Sequence, residues 1–256
     1  MPLRDAARAL GVHYQTAYGW VRQGVLPARK IGRGYEVSAE DVGALSARRA
    51  AGAPPRREVR VRDWGAQADL LFEAIVSGSE TAARARLERV ADGVPFIDLC
   101  ERVVGPALRR IGDEWASGAV TIGAEHRATA ICEQLLGPLS ARQPPGRPRG
   151  VAVAATPKGE RHALPALMAA GCLREDHWQV HYLGSDLPAE EVERIAVDTG
   201  ARLVVLSSSA AETARRATAQ SGRLAAARPG LRVLAGRPGD SLYRLVQLAR
   251  NAAAPA

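Results

Sequence analysis

The sequence predicts a modular chain, mainly α with an α/β portion toward its C-terminal end, and three observations predict it. Positive charge is concentrated early: residues 1–62 hold 12 Arg or Lys against 5 Asp or Glu, a net of +7, whereas the other 194 residues hold 23 against 22. Residues 63–142 carry apolar side chains at helical spacing throughout. After Gly150 the pattern changes to short apolar runs separated by helical stretches, as a parallel sheet requires. The length of 256 residues exceeds one usual domain. At 46% hydrophobic and 24% charged residues the chain can build packed cores, and with only 4% aromatic those cores are of Ala, Leu and Val.

Composition also excludes several classes. No apolar run approaches the roughly 18 residues of a spanning helix, and Met1–Asp5 opens no secretory signal, so no membrane partner is expected and the expected location is cytoplasmic, at the nucleoid. Cys100, Cys132 and Cys172 are widely spaced and form no Cys-x-x-Cys, which argues for three reduced core residues over disulfides or a thiolate zinc site.

The N-terminal charge sits on a recognisable arrangement. Leu3–Leu10 reads as a short helix ended by Gly11, and a second helix runs from near His13 to about Gln23, with Gly24 as its C-cap and Pro27 beyond. Val12, Ala17, Trp20 and Val21 can pack inward, which leaves His13, Gln15, Tyr18 and Arg22 free to meet base edges. Residues 28–37 read as a β-hairpin with glycines and positive charge at its tip, and Ser38 caps a further short helix. Together with Ala-Ala-Arg-Ala-Leu-Gly-Val, Trp20, Gly24-Val25-Leu26-Pro27 and Gly34-Tyr35, this segment resembles the winged helix-turn-helix of the MerR and excisionase type. The resemblance implies a DNA-binding domain over 1–46 whose partner is a double-stranded operator, with Lys30, Arg33 and Tyr35 on the wing. Residues 47–62, rich in Arg, Ala, Pro and Gly, read as a linker.

Residues 63–142 read as a four-helix bundle. Ala68, Leu71, Phe72 and Ile75 mark the first helix, Ser79 caps a second with Ala83, Leu87 and Val90, Pro95–Trp115 forms a third, and the loop Gly118–Ile122 precedes the last. The stretch 143–150 interrupts all periodicity and marks a boundary. Beyond it, over 150–256, strands are expected at Val151–Thr156, Gln179–Leu183, Leu203–Ser207 and Leu231–Leu234, and helices at Leu164–Leu173, Ala189–Val197 and Leu242–Ala253. Ligands of such a sheet bind beyond the carboxyl ends of its strands, so the loops after Thr156, Leu183, Leu206 and Leu234 carry the interest.

The first of these loops holds Glu160-Arg-His162, where an acid can fix one ring nitrogen and leave the other to a metal. With Ser207 and Gly236 at matching intervals, the arrangement resembles the lower-ligand motif of cobalamin-binding domains, and implies a flavodoxin-like (Rossmannoid) domain in which His162 ligates cobalt from below. In the bundle, Trp115 followed after nine residues by Glu125-His126 resembles the upper-face signature of the cobalamin photoreceptor regulators of the CarH and LitR kind. That resemblance spans nearly the whole chain and implies an adenosylcobalamin chromophore covered by Trp115, with Glu125 and His126 toward its ribose and base. It further implies a repressor, not an enzyme, assembling as a homo-oligomer (dimer or tetramer) in a ligand- or light-dependent way.

The chain departs from the family pattern at four places. Pro165 stands where the motif has Gly, and Ala116 where the photoreceptors have a His able to ligate cobalt after photolysis. Gly-Gly is reduced to Gly236-Arg237, and the sheet is expected to be shortened after it. Two other readings share the same modules: a regulator that has lost cobalamin and senses another ligand or partner, and a corrinoid carrier of a methyltransferase system.

Overall fold

The computed structural model describes residues 1–22, 25–31, 34–50 and 63–253, with the main chain alone for residues 22, 47–50 and 253. These fall into two compact units, one on the N-terminal segment and one on residues 63–91 and 95–253.

In the first unit, α1 (Leu3–Ala9) and α2 (Tyr14–Arg22) are followed by β1 (Arg29–Ile31), β2 (Gly34–Glu36) and α3 (Ala39–Ala50). The strands pair antiparallel with Lys30 opposite Tyr35. Leu3, Ala6, Leu10, Ala17, Leu26, Val37, Val42 and Leu45 form the core, with Val12, Trp20 and Val21 packed against it. Ser38 starts α3 reciprocally: its Oγ accepts from Asp41 N (3.0 Å) and donates to Asp41 Oδ2 (2.6 Å). The helix continues to Ala50, into the expected linker, whose residues 51–62 lie outside the described residues.

The second unit opens with α4 (Trp64–Ser77) and α5 (Glu80–Ala91), whose starts are capped by Asp63 and Ser79. Next, α6 (Phe96–Leu99) passes through a π-helical turn, Cys100–Val104, into α7 (Gly105–Ala116), and α8 (Ile122–Ser140) completes four helical rods. Pro106 explains the π turn, because it has no N–H for the Arg102 carbonyl, and the Gly105 N–H bonds back to Cys100 O instead. A Cβ at Gly105 would lie 2.9 Å from that oxygen, so only glycine fits.

The rest of the unit is β3 (Gly150–Pro157), α9 (Leu164–Glu175), β4 (Trp178–Leu187), α10 (Ala189–Asp198), β5 (Leu203–Leu206), α11 (Ala211–Ala227), β6 (Arg232–Ala235) and α12 (Leu242–Ala253). The four strands are parallel in the order β4-β3-β5-β6. Alternation along the strands divides the core: Ala152, Leu203 and Val205 face α9 and α12, while Val153, Ala155, Val204 and Leu206 face α10 and α11. The apolar pattern of the sequence does not predict α11, since its buried face is Thr213, Ala214, Ala217 and Gln220, with no large apolar residue before Leu224. The strand β4 is also longer than expected. After β6 the chain turns through Gly236–Ser241 straight into α12.

Bundle and sheet are seated on each other. The Phe96 ring lies on Gly171 of α9, and Glu175 at the end of α9 accepts from the N–H groups of Phe96 (2.7 Å) and Ile97 (3.2 Å), the unpaired donors that open α6. In return Glu101, in the π turn, accepts from Ser241 Oγ (2.7 Å) and Leu242 N at the start of α12. Tyr243 adds hydrogen bonds to Asp98 and Arg102. Cys100, Cys132 and Cys172 are free and buried. Among the described residues no helix is long and apolar enough to cross a membrane.

Candidate functional site

In the N-terminal unit the structure brings several of the expected DNA-reading residues onto neighbouring elements. Gln15 and Lys30 are exposed, and Tyr18 on α2 meets Tyr35 of the wing edge-on at 5.9 Å. Tyr14 stacks on Tyr18 at 6.2 Å and lies under the Arg4 guanidinium. His13 is exposed, but its Nδ1 faces Gln15 N at 3.3 Å and serves the start of α2, leaving Nε2 as its outward nitrogen. Arg33 and the side chain of Arg22 lie outside the described residues.

The second site is in the other unit. The central position of β3 puts the β3–α9 and β5–α11 loops side by side at the carboxyl edge of the sheet, where its strand order reverses. Between them Glu160 is 2% exposed and accepts five hydrogen bonds. Its Oε1 takes His162 N (3.0 Å) and faces His162 Nδ1 (2.5 Å), while Oε2 takes Ser209 N (2.8 Å), Ser209 Oγ (2.8 Å) and Thr213 Oγ1 (2.6 Å). Burial alone would push this carboxyl up; the bonds from Thr213, Ser209 and His162 outweigh it and hold it at about 2, so it is ionised at neutral pH. The loop is fixed to the end of β4, where Asp186 N donates to Glu160 O (3.0 Å) and Asp186 Oδ1 accepts from Gly159 N (2.7 Å).

An ionised acid beside Nδ1 selects the tautomer with hydrogen on that nitrogen, leaving the lone pair on Nε2. The ring is 61% exposed and borders a cavity of about 930 Å³ between the bundle and the sheet edge. Trp115, Glu125 and His126 line the opposite wall. Trp115 is 50% exposed, so it is no core residue, and His126 Nδ1 pairs with Glu125 Oε2 at 2.7 Å. Ser207 and Gly236 also line the cavity, with Ser207 N donating to Ala155 O and Gly236 N to Leu206 O. The serine that reaches Glu160 is Ser209, two places beyond the one the spacing indicates, and no motif points to Thr213; the run Ser207-Ser208-Ser209 is the available signal. Pro165 occupies the first turn of α9, where a missing N–H costs no helical bond.

These residues fit a corrinoid. A single imidazole with one free nitrogen suits a metal that brings its equatorial ligands with it. The cavity is at the large end of small-molecule sites. Ser208 Oγ, on a residue 5% exposed, lines the cavity and has no hydrogen-bond partner among the described residues, a buried polar atom that a polar ligand would satisfy.

Comparison with known proteins agrees. A helix-turn-helix domain model matches residues 3–48, and two B12 binding domain models match 67–139 and 150–244. The chain is thus a helix-turn-helix protein carrying a two-part B12-binding module. Within that class it is CarH-like: it is 29% identical over 236 aligned positions to the HTH-type transcriptional repressor CarH of Myxococcus xanthus, covering 82% of this chain and 79% of that protein. In fold, the monomethylamine corrinoid protein of Methanosarcina barkeri superposes with a TM-score of 0.59 at 18% identity, over 73% of this chain and 98% of that one.

Proposed function

We propose that this protein is a transcriptional repressor that senses light through adenosylcobalamin held between the bundle and the sheet, and that it binds operator DNA through the N-terminal unit. The observation that carries the reading is His162, locked by Glu160 at the end of the sheet with Nε2 free, across one cavity from Trp115, Glu125 and His126. Similarity to a named repressor and the helix-turn-helix match support regulation over an enzymatic role.

Bound adenosylcobalamin supplies a cobalt–carbon bond that visible light breaks. The chain's own residues do the rest. His162 Nε2 would hold the metal, and Glu160 keeps the ring in one tautomer and orientation. On the bundle side the Trp115 indole would cover an apolar surface of the ligand, while Glu125 would accept and His126 donate hydrogen bonds to a ribose and a base. An assembly stabilised by these contacts would lose them together with the group they hold, which would couple occupancy to assembly or DNA affinity. Ala116 offers no imidazole beside Trp115, so His126 is the one histidine on the bundle wall of the cavity among the described residues.

The test is the absorption spectrum of the full chain purified with added adenosylcobalamin, before and after illumination, together with size-exclusion profiles. A cobalamin spectrum that changes with light, shifts or disappears in His162→Ala, and accompanies a change of oligomeric state is expected. Failure to retain any corrinoid would overturn the cofactor assignment, and identical dark and light assemblies would overturn the switch.

A further inference from the structure

We infer that Arg237 is a specificity-determining residue that pairs with the phosphodiester of a complete corrinoid, so that the site selects cobalamin over corrinoids lacking the nucleotide tail. The inference rests on the cofactor reading above and goes beyond it by assigning a role to a residue that breaks the family's Gly-Gly.

The same cavity is lined by Leu164 and Met168 of α9, Leu234 of β6, and Leu245 and Leu248 of α12, an apolar slot formed by these elements. Arg237, in the turn between β6 and α12, lines the same cavity. Its backbone is held in place, because the preceding Gly236 donates to Leu206 O (2.8 Å) and the Cβ position of Gly236 lies 3.6 Å from Ser207 Cα. Arg237 N donates to Asp240 Oδ2 (2.9 Å), which engages the main chain and leaves the guanidinium free. The side chain is exposed, lines the cavity and has no carboxylate partner among the described residues, and Arg244, seven residues on in α12, shares all three properties. Two acids line the cavity near them: Glu101 is committed to Ser241 Oγ and Leu242 N, and Asp240 spends Oδ2 on the Arg237 main chain and makes no ion pair with either guanidinium. Two guanidinium groups therefore line the cavity with no ion-pair partner among the described residues.

An anionic group on the ligand would find two unpaired guanidinium groups there. The peripheral amides of a corrinoid are neutral, and the anionic group cobalamin carries is the phosphodiester joining the ring's side chain to its nucleotide. A planar guanidinium matches two phosphate oxygens at once, with a charge-assisted bond stronger than a neutral one. The orphaned Ser208 hydroxyl on the same cavity wall is a second donor for a polar ligand group. Arg237 is solvent-exposed, so the pairing should be modest and sensitive to salt.

The experiment is spectral titration of the full chain with aquacobalamin and, separately, diaquacobinamide, which has the ring and cobalt without the nucleotide phosphodiester. Wild-type protein should prefer cobalamin, and its cobalamin affinity alone should fall with added salt. Arg237→Ala should weaken cobalamin binding about tenfold at low salt, as expected for one exposed charge-assisted contact, and leave cobinamide within about twofold. Arg237→Lys should recover part of the preference, and Arg237→Glu should lower it further. Parallel losses for both ligands, or no loss for cobalamin, would overturn the inference while leaving the cofactor reading intact. A wild-type chain that binds neither corrinoid would defeat the cofactor reading, and this inference with it.

Discussion

Replacing Gly171 by alanine tests the seat of the bundle on α9, because two opposed effects of known size meet there. Alanine in place of glycine within a helix gains about 1 kcal/mol. At position 171, however, the new Cβ would lie 2.2 Å from Phe96 Cε1 and 2.8 Å from Cδ1 and Cζ. Carbon atoms pack no closer than about 3.5 Å, so the ring would have to retreat by about 1.3 Å. It has little freedom to do so, since Phe96 is buried and its own N–H is held by Glu175 at 2.7 Å. Overpacking of this kind costs about 1–3 kcal/mol, so the variant should lose about 1 kcal/mol net. Gly222→Ala is the control: the site is an exposed position within α11 with nothing within 4 Å of the added methyl, and it should keep the full gain. In a unit of this size each kcal/mol moves the midpoint by about 2–4 °C, so thermal unfolding should place the two variants on opposite sides of wild type. If Gly171→Ala stabilised as much as Gly222→Ala, the close seat of Phe96 on α9 would be refuted.

Further outcomes follow from the two sites. Glu160→Gln sets an amide NH2 against at least one N–H or Nδ1–H donor and should cost about 1–3 kcal/mol at pH 7, read by denaturant unfolding. Because the folded Glu160 carboxyl is held at about 2 against an ordinary 4.5, its stabilisation is full above about pH 4.5 and is lost as pH falls toward 2. The stability of the ligand-free chain should therefore fall more steeply across that window in wild type than in Glu160→Gln, and parallel curves would contradict the assignment. Trp115→Ala should reduce the preference for adenosylcobalamin over hydroxocobalamin about tenfold in equilibrium binding, as loss of one aromatic cover predicts. Lys30→Ala should weaken all duplexes alike and lower the slope of log affinity against log salt by about 1, whereas a change confined to one sequence would make Lys30 a base reader.

The parts of this architecture that are legible in the sequence are those that local chemistry decides. Helix α12 begins and ends where its apolar spacing indicates, the hairpin forms between Arg29 and Glu36, and Ser38 and Ser79 cap the helices they precede. Glu160 and His162 are legible because acid and imidazole are two residues apart. Ser209 and Thr213 are not, because they reach Glu160 from 49 and 53 residues away and only the adjacency of β3 and β5 brings them there. Helix α11 escapes because a face of alanine, threonine and glutamine carries little hydrophobic signal, although it packs against a sheet of valine and leucine. The π turn escapes because its cause, one proline's missing N–H, reads equally as an ordinary helix start.

The Gly/Pro-rich stretch 143–149 invites cutting the gene there to make a separate bundle and a separate corrinoid-binding half. The exchange of carboxylates between layers argues against such a cut. The opening N–H groups of α6 are completed by Glu175, and those of α12 by Glu101. Each half, expressed alone, would begin a helix on bare donors and leave a carboxylate with nothing to hold, so the smallest autonomous fragment for biophysical work starts near Asp63 and keeps both halves on one chain.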